Sequence, residues 1–251
     1  MISKLILFSM KLKKLYLIFF CLILSAFSGQ SAFAESQSNA ISRYEFYAPS
    51  IDATGKVFMG REIANVMGFQ GAAWLERQNR VSEERTDILV KSLNLTAGMH
   101  IADIGAGTGF LSREIAKIAG EQGQVFAVDI QPEMLGKLKN LQKTYRNITP
   151  ILASDQKTNL APKSADLAIM VDVYHELAYP FEVIQDTMQA LKKNGRLVLV
   201  EYRGEDDSVP IKPSHKMTED QIIKEMRVHG LQYEKTIKSL PWQHIVIFTK
   251  P

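Results

Sequence analysis

Cysteine is almost absent: the chain of 251 residues has one, Cys21, in the middle of an apolar run. Disulfide frameworks, thiolate catalysis and cysteine-ligated zinc are thereby excluded together. No small residues lead into Cys21, so a lipoprotein site is not expected either. An excess of positive charge is missing as well. The formal net charge is +3, but Lys4, Lys11, Lys13 and Lys14 precede residue 35 and no acidic residue does, so without them the balance is −1. No lysine or arginine stripe makes an electrostatic footprint for nucleic acid, and RNA and DNA are not expected as substrates. There is no G-x-S-x-G, which removes the usual hydrolase elbow. After His175-Glu176, Tyr179 stands where the second histidine of H-E-x-x-H would be needed, so a zincin is excluded and no metal is expected.

What is present begins with a targeting segment. Residues 1–34 carry a basic stretch to Lys14, an apolar run from Leu15 to Phe27, and Ala32-Phe33-Ala34 in the small-x-small form of a cleavage site. The run is short for a membrane span and is soon followed by Ser28, Gly29, Gln30 and Ser31. A signal peptide cleaved before Glu35 is expected, with a retained N-terminal membrane segment as the alternative. Either way the four lysines stay on the cytoplasmic side and the remainder is exported, periplasmic or secreted, or anchored. The membrane enters only through this segment.

The composition of the whole chain, 46% hydrophobic and 23% charged, suits one substantial globular domain. Residues 35–94 read as an N-terminal arm with little regular structure to about residue 60. Helices are expected after Arg61, where Ile63, Val66 and Met67, and later Ile88, Leu89 and Leu93, repeat at helical spacing. From residue 95 to 251 strand-like runs alternate with helical ones, the pattern of a parallel sheet covered on both faces. Strands are expected at His100 to Asp103, Val125 to Asp129, Pro150 to Ala153, Leu167 to Val171 and Arg196 to Glu201. Helices are expected at Phe110 to Ala119, Pro132 to Tyr145 and Phe181 to Lys193, the last stopped by Gly195. Pro150 belongs on an edge strand, since it cannot donate to a ladder. A helix capped by Thr218 and two strands, Leu231 to Ile237 and His244 to Phe248, close the chain, the final hairpin adding an antiparallel strand.

The informative segment is Ile101-Ala102-Asp103-Ile104-Gly105-Ala106-Gly107-Thr108-Gly109, between the first strand of the alternation and its helix. Its glycines allow a sharp turn and close approach of a ligand. A dinucleotide fingerprint would have glycine where this chain has Phe110. Asp103, two residues before the first glycine, would repel a pyrophosphate but suits an ammonium or its water shell. Asp129, ending the second strand, can accept from two ribose hydroxyls. A nucleoside bearing an amino acid fits this set better than NAD does.

Asp103-x-Gly105-x-Gly107-x-Gly109 with Asp129 resembles the first two motifs of class I S-adenosylmethionine-dependent methyltransferases. The resemblance runs over about residues 95 to 249 and implies a doubly wound, mostly parallel seven-stranded Rossmann-like α/β sheet with an antiparallel strand at the C-terminal end, preceded by a helical arm. It implies S-adenosylmethionine as cofactor. Asp103, Gly105, Ala106, Gly107 and Gly109 would hold its methionine part, Asp129 the ribose, Ile130 the adenine face and Asp155 the adenine amino group, with Asp172 beside them. Met67-Gly68-Phe69-Gln70-Gly71-Ala72-Ala73-Trp74-Leu75-Glu76-Arg77 is similar to the leader of bacterial proteins labelled only as methyltransferases. The implied activity is methyl transfer to a small-molecule acceptor. An exported cofactor-binding or structural protein that keeps the fold without turnover is the competing expectation, because the cofactor is made in the cytoplasm.

Ligands of open parallel sheets lie beyond the carboxyl ends of the strands. Tyr174, His175 and Glu176 after the fourth strand are therefore the candidate catalytic residues, His175 as a base near neutral pH. A second reading makes His175 and Glu176 a hydrogen-bond network at a helix start. Lys212-Pro213-Ser214-His215-Lys216 could close over the mouth or stay a solvated basic loop, and ordinary loop behaviour favours the latter. Trp74, with Phe69 and Arg77, could lid the pocket or simply pack.

Overall fold

The computed structural model describes residues 43–251. The expected signal segment, its cleavage site and the start of the arm lie outside the described residues. The chain divides into two units after Phe46. Of the first, a short strand, β1 (Tyr44–Phe46), lies among the described residues. Everything that follows belongs to the second, Tyr47–Pro251.

That unit opens with an antiparallel hairpin, β2 (Ala53–Phe58) and β3 (Arg61–Ala64), where the sequence had suggested irregular chain and then helix. Its turn residues, Met59 and Gly60, have φ of 51° and 89°, the left-handed pair that matches the twist of a two-residue hairpin. Ile63 and Ala64 are buried as strand residues. The expected helical arm is correspondingly small: α1 (Ala72–Leu75), α2 (Arg80–Glu84) and α3 (Thr86–Ser92).

The alternation beyond residue 95 gives β4 (His100–Ile104), α4 (Phe110–Ala119), β5 (Gln124–Asp129), α5 (Pro132–Gln142), β6 (Ile148–Leu152), β7 (Ala165–Val171), α6 (Pro180–Ala190), β8 (Leu191–Arg203), β9 (Lys216–Met217), α7 (Glu219–Arg227), β10 (Gln232–Ile237) and β11 (Gln243–Thr249). The sheet order is β10-β11-β8-β7-β4-β5-β6, with β9 added beside β8, so the seven expected strands become eight. All ladders from β8 to β6 are parallel, and β11 runs antiparallel to both β8 and β10. The strand holding Pro150 is at the edge, where its missing donor costs no ladder bond.

Both faces of the sheet are covered, and the strands alternate between them. Ile101, Val125, Ile169, Val198 and Ile245 pack beneath α3, α4 and α5. Ala102, Val128, Met170, Leu199 and Val246 face the other way, against α6 and α7. Burial on both sides explains why the strands read as nearly continuous apolar runs. The helix expected to run to Lys193, with Gly195 as its stop, ends at Ala190 instead. Leu191 already pairs with Ala165, and Leu167 next pairs with Arg196, so Lys192 to Gly195 bulge from β8, with Asn194 at φ 61°. Thr218 caps α7, its hydroxyl accepting from the Gln221 amide at 3.2 Å.

Candidate functional site

Two cavities open beyond the carboxyl ends of the parallel strands, where an open α/β sheet holds its ligand. The smaller, of ≈ 100 Å³, is bounded by Gly105, Asp129, Ile130, Asp155, Leu177 and Val183 among others. Asp129 at the tip of β5 is fixed by two amides: Oδ2 accepts from Gly107 and Oδ1 from Gln131, at 2.8 and 2.9 Å. Each carboxylate oxygen can accept a further hydrogen bond, and Asp129 lines the cavity. Burial raises its pKa above the ordinary value, against the pull of those amides. Ile130 is 44% exposed, an apolar face without cover.

The glycine loop is built to be close rather than to donate. The Gly105 and Ala106 amides both bond the Val128 carbonyl, at 2.8 and 2.9 Å, and that of Gly107 is taken by Asp129. A phosphate would therefore find no free amide from Gly105 to Gly107, which counts against a dinucleotide independently of Phe110. Gly105 has φ 75°, and a Cβ there would lie 2.4 Å from a Val173 methyl. Gly109 faces away from both cavities: a Cβ on it would meet Leu141 at 2.5 Å and Leu138 at 2.9 Å. Its part is the packing of α4 on α5, not the cofactor contact expected of it. Ala106 likewise packs toward the core and lines neither cavity. Gly107 is covered by Leu75, which stands 2.7 Å from a Cβ built there.

Asp103 is 3% exposed and lines neither cavity. Its carboxylate accepts the Ser112 hydroxyl at 2.5 Å. Burial pushes its pKa up to about 6, with Ser112 and Arg80 opposing and the nearby charge of Asp129 adding to the rise. The two acids thus feel one another, but Asp103 acts from behind the loop by charge rather than by direct contact.

The larger cavity, of ≈ 500 Å³, shares Val66, Val173 and Glu176 with the smaller one. Asp172 belongs here and not beside Asp129. It has φ 54°, and burial together with Glu84 and Glu201 holds its carboxyl well above the usual range. Oδ2 accepts from Gln243 at 3.2 Å, and Oδ1 is buried without a hydrogen-bond partner. Glu176 accepts the Met67 amide at 2.9 Å, and burial pushes its pKa up to about 7. His175 is 2% exposed; Nδ1 meets Glu201 at 2.5 Å and Nε2 meets His215 Nδ1 at 3.0 Å. Burial pulls its pKa down, but Glu201 outweighs this and the net shift is upward. His215 continues to Asp52 at 2.8 Å, and its pKa is lowered by burial and by His175. Lys212 also pairs with Asp52, at 2.6 Å. The 212–216 segment thus touches the hairpin side of the cavity through His215 and Lys212, while Lys212 and Pro213 stay exposed.

Tyr174, expected among the catalytic residues, lines neither cavity. It is fully buried, and its hydroxyl donates to Glu225 at 2.7 Å, the same carboxylate that pairs with Arg61. Trp74 does line the larger cavity, with Arg77 stacked 3.7 Å from its ring centre, whereas Phe69 and Arg77 do not. Arg80, Glu84 and Asp52 line it too and were not anticipated. The Arg80–Glu84 pair, four residues apart at 2.9 Å, was the one local signal available for two of them.

A family described as a methyltransferase domain matches residues 95–246. This chain belongs to the class I S-adenosylmethionine-dependent methyltransferase family. A demethylmenaquinone methyltransferase of Tropheryma whipplei is 34% identical over 112 residues, 45% of either chain. A ubiquinone/menaquinone biosynthesis C-methyltransferase of Pseudomonas paraeruginosa is 28% identical over 109 residues, 42% of this chain and 43% of that one. The match thus spans less than half the length of these relatives. Among solved structures, an S-adenosylmethionine-dependent methyltransferase from Aquifex aeolicus superposes with a TM-score of 0.70 at 20% identity, over 74% of this chain and 100% of that one. The cofactor of this methyltransferase family, S-adenosylmethionine, fits the residues present: carboxylate lone pairs at Asp129, the bare face of Ile130, and loop amides already satisfied.

Proposed function

We propose that the protein transfers a methyl group from S-adenosylmethionine to a small molecule held in the ≈ 500 Å³ cavity. One observation carries this reading: the two cavities touch only where Val66, Val173 and Glu176 line both, so nucleoside and acceptor would approach each other at a single shared wall. The bound cofactor supplies a methyl carbon on a cationic sulfur, which needs a nucleophile that is close, in line and partly stripped of water.

The chain's own residues supply the rest. Asp129 takes the ribose hydroxyls, Asp155 the adenine amino group and Ile130 the ring face. Asp172, Glu84 and Arg80 line the larger cavity, where Arg80 suits a ligand's carboxylate. His175 and Glu176 make the polar wall that orients the acceptor. Both ring nitrogens of His175 are engaged, so a proton leaving through it would pass to His215 and Asp52. The volume is that of an ordinary small-molecule site. The names of the bacterial relatives make hydroxylated aromatic rings of the quinone type the first acceptors to test. We place the domain outside the cytoplasm, on the strength of the signal-like residues 1–34.

Methyl-labelled cofactor mixed with cell extract is the test. Label should enter a small product, and His175→Ala should abolish transfer while leaving cofactor affinity within about threefold. Labelling of nucleic acid, or full turnover by His175→Ala, would contradict the proposal.

A further inference from the structure

We infer that the larger cavity contains a binding site for a divalent transition-metal ion, formed by His175 Nε2, His215 Nδ1 and the Glu176 carboxylate. One ligand atom from each of these residues lies within 4.8 Å of the other two. The outer nitrogens argue for an ion more strongly than this proximity does. His175 Nδ1 lies 2.5 Å from Glu201 and His215 Nε2 lies 2.8 Å from Asp52. A carboxylate only accepts, so each outer nitrogen carries the hydrogen, and in a neutral imidazole the inner nitrogen is then a lone pair. Two lone pairs consequently face one another across 3.0 Å. That arrangement is repulsive unless a cation sits against both.

A shared proton would answer the repulsion between the two rings. It would give the Glu176 carboxylate, which lies in the same 4.8 Å set, no role toward the two rings. A metal ion answers more of what is there. Two nitrogens bound side by side to one ion at about 2.1 Å stand about 3.0 to 3.4 Å apart, for right-angled to tetrahedral geometry. A carboxylate behind each imidazole fixes its tautomer and orientation, which is the usual outer support of metal-bound histidine. Two imidazoles and one carboxylate select a borderline ion such as zinc, cobalt, manganese or iron over magnesium or calcium. The ligands come from two places in the chain, the Tyr174–Glu176 turn and the Pro213–His215 turn, so the site closes only when the second segment docks on the first. This is why the missing H-E-x-x-H histidine did not exclude it. All three side chains line the larger cavity, so an acceptor oxygen, nitrogen or sulfur held there could take a further coordination position.

The test is titration of the chelator-stripped full chain with Zn²⁺ and with Co²⁺, the latter read by its visible absorption. One ion per chain is expected. His215→Ala and, from the other segment, Glu176→Gln should each weaken binding at least about tenfold, and Asp52→Ala about 10- to 100-fold through the supporting carboxylate. Circular dichroism melts show that each variant is folded. No saturable uptake by the wild-type chain, or uptake that folded His215→Ala leaves unchanged, would overturn the site. Calorimetry with S-adenosylmethionine on the same samples is a separate readout, so loss of the metal site and loss of the methyltransferase reading are told apart.

Discussion

At the scale of single residues, the two acids that first drew attention behave differently. Asp129 was legible because an acid ending a strand has one obvious direction to point, and it does line the smaller cavity. Asp103 was legible as a charge but not as a contact, because the Ser112 hydroxyl that claims it comes from the following helix. Its pKa, pushed up by burial to about 6 from the ordinary carboxylate range, makes folding pH-dependent. A carboxyl whose folded pKa is raised binds its proton more tightly in the folded chain. Its burden is absent below about pH 4, grows as pH climbs to 6, and is complete above that, amounting to about 3 kcal/mol for a fully buried group. Asp103→Asn should therefore flatten the fall in stability between pH 4 and 7 in the ligand-free protein. It should also weaken cofactor binding about tenfold, by removing charge from the cationic end. Urea melts across that range check the first, and a variant with the wild-type slope would refute it. Tyr174 was misread for a plain reason: position after a strand says nothing about which way a side chain turns, and Glu225 captures its hydroxyl. Asp52 was invisible because its partners, Lys212 and His215, are remote in sequence.

At the scale of elements, the alternation from β4 to β8 was readable because strands buried on both faces write continuous apolar runs. Errors fell where backbone conformation departs from residue habit. Met59-Gly60 closes a hairpin without the usual Asn-Gly, and β8 begins five residues early by bulging before Gly195. The glycine loop was recognised as a unit, yet its members separate by function. Gly109→Ala adds a methyl against Leu138 and Leu141 at φ 83°, and should cost about 2 to 4 kcal/mol of stability through overpacking and left-handed strain. Gly105→Ala drives a Cβ into Val173, which lines both cavities, and should lower cofactor affinity by more than tenfold. Thermal melts alongside calorimetry separate the two. Equal effects of both variants on affinity would contradict the division.

At the scale of the whole molecule, residues flanking the hairpin, the short helices and the 212–216 segment line a larger cavity beside the smaller one. Arg61, paired with Glu225 at 2.8 Å, also donates to the His175 carbonyl at 3.0 Å, so the hairpin helps to place the turn that carries the polar wall. The export proposal belongs here too. Fractionated cells should hold a shortened product outside the cytoplasm, beginning near Glu35, and a full-length cytosolic product would refute it. The central claim is a nucleoside sulfonium site, and calorimetry of the protein with S-adenosylmethionine and with NAD tests it most directly. The account predicts binding of S-adenosylmethionine at about micromolar strength, weakened at least about 30-fold by Asp129→Ala, and no heat with NAD. Saturable NAD binding with none for S-adenosylmethionine would contradict it.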